Sequence, residues 1–419
     1  MPKIPRRSHE TLKLRPDLID PQSAPELEVI QLTTETQTPS SHIYMEAQIF
    51  TPDSKRFLLH RSAHAHGSDK NDPEHRYLVC DIENHCALSP VTDEIGSTAP
   101  SVTHDGKHIY YFVDETESKR RLILKRVDLD GSHRKTIIVV DSSLLGTKYR
   151  PSAIYPLSTI SSDGKRLALS AFLGDGRTEG APFGLMVFDL EKAAVQLIIY
   201  GQSWCNLHPQ YCRSTNPKEN HDILIQENHG NSCNAKGKIA TLVSGPGADI
   251  HLIHDDGTNL RSMPWGRDGN EFCQGHQCWR GRSQWAITST GTRKPPECQL
   301  IESQAVPSTD HLGALTPAGL RNDLSREFPK PAFYHFATDI AGKRLITDSG
   351  PTDKGGRLFV AELGKPGHEP LRNFQFLLSP RSTCSKTAHI HPFLSPDGKF
   401  GFFNSDESGI LQAYMIRGF

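Results

Sequence analysis

Nowhere in the 419 residues is there a run approaching the roughly 18 consecutive apolar residues that a membrane-spanning helix requires. An excess of charge is missing too. Lys and Arg number 47 against 48 Asp and Glu, for a net charge of -1, so there is no electrostatic footprint for nucleic acid or an anionic membrane. The start, MPKIPRRSHETLKLRPDLID, is basic but has no apolar stretch behind it, so it does not read as a signal peptide, and a cytoplasmic location is expected. No Asn-x-Ser/Thr sequon occurs. Without Gly-x-Ser-x-Gly, serine-hydrolase chemistry is disfavoured. Without a P-loop or Gly-x-Gly-x-x-Gly fingerprint, no nucleotide cofactor is implied. The nine cysteines are an odd number, which argues against a disulfide framework. Cys205 and Cys212 flank His208, and Cys273 and Cys278 flank His276. Neither group has the paired Cys-x2-Cys spacing of structural zinc, so buried thiols are expected over a zinc site.

What the chain does have is turns, with 33 Gly and 29 Pro. One turn signature recurs: TPDSKRFLL with Ser54, THDGKHIYYF with Gly106, SSDGKRLALS with Gly164 and SPDGKFGFF with Gly398. Weaker copies stand at Ser283 and Gly342, and the weakest, NPKENHDILI, lies near residue 220. The mean spacing is about 57 residues, so seven units account for nearly the whole chain. Each unit holds short β-rich runs such as YLVCDIE, LMVFDLE and LFVAELG, bounded by Gly, Asp or Asn. Runs this short cannot bury their faces alone, so the units must pack on one another. The expected fold is all-β: a seven-bladed β-propeller with four short strands per blade, forming one domain over 1–419. ELEVIQLTT and ILQAYMIRGF would close the ring. Residues 1–25 read as irregular, and an insertion at about 300–330, containing LTPAGLRNDLSREF, reads as helical or lid-like.

The histidines follow the repeat. His276, His335 and His391 each lie seven residues before their turn marks, Ser283, Gly342 and Gly398. His276 to Thr288 and His335 to Thr347 are both twelve apart, and His208 fits the same slot if its turn is a few residues longer. A lone histidine in a strand is ordinarily a hydrogen-bonded structural residue. Four at one phase in consecutive units, one within His389-Ile390-His391, point instead to imidazoles converging on the central channel. His389 and His391 would share a face of the innermost strand. Such a set suits a divalent transition metal with open positions for catalysis.

These motifs resemble those of the oligogalacturonate lyases, seven-bladed propellers with a channel metal. His276-Gln277-Cys278-Trp279 is similar to that family's His-Glu-x-Trp motif and follows a matching turn, Asp255 to Asn259. His389-Ile390-His391-Pro392 with Ser395-Pro396-Asp397 resembles its His-x-His-Pro and turn. His335 matches a single histidine of the preceding blade, and Leu207-His208-Pro209 resembles a Gly-His-Pro segment. The likeness runs over roughly 40–419. It implies that His335, His389 and His391 hold a divalent cation, typically Mn2+, and that His276 is the catalytic base for β-elimination of a small acidic oligosaccharide. Removing the C5 proton of a 4-linked uronate is hard, because the adjacent carboxylate disfavours a carbanion. A Lewis acid on that carboxylate withdraws charge, and a histidine then takes the proton as the C4 oxygen leaves.

Two positions depart from the family pattern. Lys386 stands where it has a glutamine ligand, and Asp249 stands where it has an arginine for the substrate carboxylate. Lys386, Arg177, Arg280 and Arg282 are candidates to restore that positive charge. Tyr44, His208, Trp279 and Lys386 are candidates to contact the substrate, with core packing the alternative for Trp279 and Tyr44. Glu46 would face the same way as Tyr44. HRSAHAHG, with His60, His64 and His66, reads as a solvated or weakly metal-binding loop. The alternative to a lyase is a repurposed metal-binding propeller that serves as a binding or sensing module.

Overall fold

The computed structural model describes residues 11–241, 248–265, 272–291, 298–307, 320–328, 333–350 and 355–419. Seven antiparallel sheets form a ring, one blade for each repeat. From the channel outward, blade 1 uses Ser40–His42, Arg56–Arg61, Arg76–Asp81 and Ala87–Pro90. Blades 2 and 3 begin with inner strands Ser97–Val102 and Ala153–Ile160, and blade 4 with the short Gln210–Tyr211. Blades 5, 6 and 7 begin with Phe272–Trp279, Phe336–Thr338 and Phe393–Leu394. The only helical turn among the described residues is Pro16–Leu18, so no described helix is long and apolar enough to cross a membrane.

The repeated turns work by the same local chemistry. Thr51, Thr103, Ser161 and Ser395 donate their hydroxyls to Asp53, Asp105, Asp163 and Asp397 at 2.6–2.7 Å. Each aspartate also accepts the backbone N–H of the following lysine, closing the turn between the inner strand and the next. The fourth residue sits in the left-handed region, with φ +67° at Gly106 and +72° at Gly164 and Gly398. Glycine has no Cβ to oppose that conformation. In blade 6, Asp339 closes the equivalent turn by accepting the N–H groups of Lys343 and Arg344.

Ring closure follows the expectation. Glu28–Gln31 pairs with Gln412–Arg417, so the N-terminal segment supplies the outer strand of blade 7. Lys13–Leu14 adds a further strand outside it. Arg15, almost buried, ties this edge down through Asp17, Glu407 and Gln31. Residues 11–25 are therefore more ordered than their composition suggested, while 1–10 lie outside the described residues.

The expected insertion at about 300–330 takes another form. Val306–Pro307 pairs with Arg261–Ser262 at the edge of blade 4, and Arg321–Asp323 is the outermost strand of blade 5. Pairing along an otherwise open sheet edge overrides the helical tendency of that stretch. Its remainder, 308–319, lies outside the described residues, as does 329–332.

Candidate active site

At one end of the channel, five histidines from four regions of the chain come together. His276 lies within the inner strand of blade 5, next to a register shift between Cys273 and Gln277. His335 sits immediately before the inner strand of blade 6. The predicted phase has a physical counterpart: Thr288 donates to the His276 carbonyl at 2.8 Å, and Thr347 donates to the His335 carbonyl at 2.9 Å. His389 and His391 precede the inner strand of blade 7 but are not in a strand. His391 is left-handed at φ +45°, as is His208 at +45°, and each stands before a proline. The two rings of His389-Ile390-His391 are neighbours through this loop geometry and not through strand alternation, with centroids 5.2 Å apart.

The fifth imidazole is His66, on a two-stranded hairpin of Ala63–His64 and Gly67–Ser68 that projects from blade 1. Ala65 donates its N–H to the Thr387 carbonyl at 3.0 Å, drawing this hairpin onto the loop that carries His389. The His66 ring then lies 4.7 Å from His389 and 5.5 Å from His391. A ligand atom from each of His66, His389 and His391 falls within 4.8 Å of the other two. His335 closes the group at 4.5 Å from His391 and 5.6 Å from His389, and His276 lies 4.5 Å from His335. The HRSAHAHG segment is thus not simply a solvated loop. His60 is buried, bonded to Ser41 at 2.7 Å and stacked on Tyr77, whereas His66 belongs to the channel cluster.

Hydrogen bonds orient these rings. Asp348, buried like His335, takes the Nδ1 proton of His335 at 2.8 Å, which leaves Nε2 as the lone-pair nitrogen. That Nε2, both ring nitrogens of His391, and Nδ1 of His389 are buried with no protein partner. Buried nitrogens left this way cost free energy unless something satisfies them. His276 donates Nδ1–H to the Tyr334 carbonyl at 2.6 Å, so its Nε2 also carries the lone pair. Burial, reinforced by neighbouring imidazoles, pushes His66 down to about 3 and His389 to about 4. It holds His276 and His391 well below their ordinary value. Burial thus favours the neutral form of His66, His276, His389 and His391, the form in which imidazole ligates a divalent metal. His66, His389 and His391 group closely enough to hold such an ion, with the orphaned His335 Nε2 beside them.

Tyr44 reaches the cluster, with its ring 4.6 Å from His391 and 5.4 Å from His208. Burial, then the charge of Glu46, raises its hydroxyl well above the ordinary value, so it is a neutral donor. Glu46 does lie on the same side: it meets His208 Nδ1 at 2.9 Å and is itself raised by burial against the opposing pull of His208.

Other candidate residues stand elsewhere. Trp279 is fully buried and donates its indole N–H to the Gln210 carbonyl at 2.9 Å, packing blade 5 on blade 4 and offering no face to a sugar. Lys386 is exposed on the loop before His389, while His66 brings a further nitrogen donor beside the His-x-His pair. Arg280 is buried against Glu302 and the Gly364 carbonyl, and Arg177 is exposed in a surface loop. Arg282 lies at the other end of the channel. Asp249 is buried, with His229 Nε2 at 2.7 Å, and forms with Glu227 and His251 a second group able to hold a cation. In that group His251 already meets Glu227 at 3.2 Å, and Ser203 donates to Glu227 at 2.6 Å. The cysteines beside His208 and His276 are buried free thiols, and burial pushes Cys205, Cys212 and Cys278 up to about 12.

No family model matches the sequence, and a sequence search of curated proteins found no match. Solved structures do. An oligogalacturonate lyase in complex with manganese is similar at TM-score 0.68 and 18% identity, over 97% of this chain and 96% of that one. An oligogalacturonate lyase from Vibrio parahaemolyticus is similar at TM-score 0.66 and 17% identity, over 97% of each chain. A prolyl endopeptidase aligns at TM-score 0.54 and 12% identity over half of its own length. At such identities the likeness is one of fold, and the fold is the seven-bladed propeller of the oligogalacturonate lyases.

Proposed function

We propose that this protein is a lyase that cleaves 4-linked uronate oligosaccharides by β-elimination, with pectin-derived oligogalacturonides as the first choice of substrate. The observation that carries this reading is a set of imidazoles with orphaned nitrogens beside His276, whose Nε2 is left free to accept a proton by the bond from Nδ1 to Tyr334. His335, His389, His391 and His66 would hold a divalent cation, manganese first. When bound, that cation supplies Lewis-acid withdrawal of charge from the uronate carboxylate.

The chain's own residues supply the rest. Tyr334 fixes the His276 tautomer through its carbonyl, so Nε2 accepts the C5 proton. Burial keeps that nitrogen unprotonated at neutral pH. Tyr44, as a neutral phenol beside His391 and His208, is placed to donate to a substrate oxygen. The Glu46–His208 pair holds the opposite wall.

A second reading has one observation in its favour. Asp249 occupies the position where the resemblance expects an arginine, and Arg177, Arg280 and Arg282 all lie away from the histidine cluster. A propeller without that cation would serve as a binding module. Ultraviolet absorbance separates the two. With manganese and mixed oligogalacturonides, a lyase produces a rise from the new conjugated C4–C5 double bond, abolished in His276→Ala. A metal-loaded protein that gives no rise overturns the lyase reading.

A further inference from the structure

The channel has a second mouth, opposite the histidines, and all seven repeated turns meet there. Pro52, His104, Ser162, Thr215, Arg282, Ile340 and Pro396, one from each turn, line a cavity of about 250 Å³. Its walls are apolar and include Met45, Ile49, Phe50, Val102, Phe393 and Leu394.

Segment 43–50 separates this cavity from the histidines. Tyr44 and Glu46 turn toward His391 and His208, whereas Met45 and Ala47 to Phe50 line the opposite cavity. Gln48 pins the segment across the channel by accepting from Thr159 Oγ1 at 3.0 Å and from the Ile160 N–H at 2.9 Å. The two ends are therefore distinct chambers.

The basic groups of the second chamber are only partly countered: the charge of Asp339 acts on Arg213, but from beyond ion-pair distance. Among the described residues, no carboxylate oxygen pairs with the guanidinium of Arg213 or Arg282. Arg213 makes one long contact, 3.3 Å to the Thr338 carbonyl. The nearby turn aspartates Asp53, Asp105, Asp163 and Asp397 are each engaged by their own turn's hydroxyl and backbone. His104 Nε2 is buried without a protein partner, and burial, then the charge of Arg282, lowers the affinity of this ring for a proton. A half-buried Arg213 and an exposed Arg282 at the rim of a largely apolar cavity favour an anion, which can take charge-assisted bonds from both. The apolar part of the wall, Met45, Ile49, Phe50, Val102, Phe393 and Leu394, favours a guest with an apolar body.

We propose that this second chamber binds a small organic carboxylate with an apolar body. Its carboxylate sits between Arg213 and Arg282, its apolar part lies on Met45, Phe50 and Phe393, and His104 accepts or donates a further bond. The proposal does not depend on the lyase reading.

Calorimetric titration with 2-naphthoate, and with 2-naphthylmethanol as the uncharged match, tests it. The acid should bind one site per chain, with the alcohol about tenfold weaker or worse. Arg282→Ala, at an exposed position that the fold does not need, should weaken the acid by about tenfold and leave the alcohol unchanged. Absence of saturable binding by the acid, equal binding of acid and alcohol, or an acid affinity unaffected by Arg282→Ala would each overturn the proposal.

Discussion

Asp348→Asn is the most informative single change at the histidine cluster. In the native protein, Oδ2 of Asp348 takes the Nδ1 proton of His335 at 2.8 Å, while Oδ1 accepts the N–H groups of His335 at 3.3 Å and Gly350 at 2.9 Å. Asparagine keeps one acceptor oxygen for the two backbone bonds, so the loop should hold. Its amide NH2 then faces His335 Nδ1, which must become the acceptor, and the ring proton moves to Nε2. That nitrogen is the one left without a partner inside the cluster. A protonated Nε2 cannot ligate a metal, and losing an orienting carboxylate costs about 10–100-fold in metal affinity. The equivalent free energy is about 1.4–2.7 kcal/mol. Titration with Mn2+ by calorimetry or electron paramagnetic resonance reads the change, and a melting curve checks the fold. An unchanged Mn2+ affinity in a folded variant would refute the assignment of His335 Nε2 as a ligand.

Other perturbations separate the remaining parts. His66→Ala should weaken Mn2+ binding by about tenfold or more, whereas Lys386→Ala should leave it unchanged; the reverse result would refute the assignment of His66 as a ligand. Burial holds His42 down to about 3, with its Nε2 bonded to the Tyr414 carbonyl at 2.8 Å. Its folded proton affinity lies below the unfolded one, so the unfolded chain binds the extra proton. That contribution to stability is complete above about pH 6.5 and is lost as pH falls toward 3, at about 1.4 kcal/mol per unit. Denaturant midpoints between pH 7 and 4 should fall less steeply in His42→Gln than in the native chain. Arg280→Met strands the fully buried Glu302 carboxylate and should cost about 3–5 kcal/mol, measured by urea unfolding.

Much of the fold was legible because the turn chemistry is local. A hydroxyl, an aspartate and a glycine at fixed offsets specify the same closure wherever they occur, and their spacing counts the blades. His276 and His335 were legible for the same reason, since their threonine partners sit at a constant separation on the adjacent strand. His66 was legible only as part of a solvated or weakly metal-binding loop; its place in the channel cluster was not, because ring closure alone brings blade 1 onto the His389 loop through the Ala65 to Thr387 bond. Asp348 could have been found: it directly follows Thr347, the residue that marks the register. Trp279 shows the limit of composition, since an indole serves a blade interface or a sugar equally well until its N–H partner is known. The 300–330 stretch carried helix-favouring residues, but an open sheet edge decided its described part.

The most direct check is to locate the ion itself, by anomalous scattering from crystals soaked in Mn2+. The expected result is a peak within coordinating distance of His335, His389, His391 and His66, beside His276. A peak only at Glu227, Asp249 and His251, or none at the channel histidines, would contradict it.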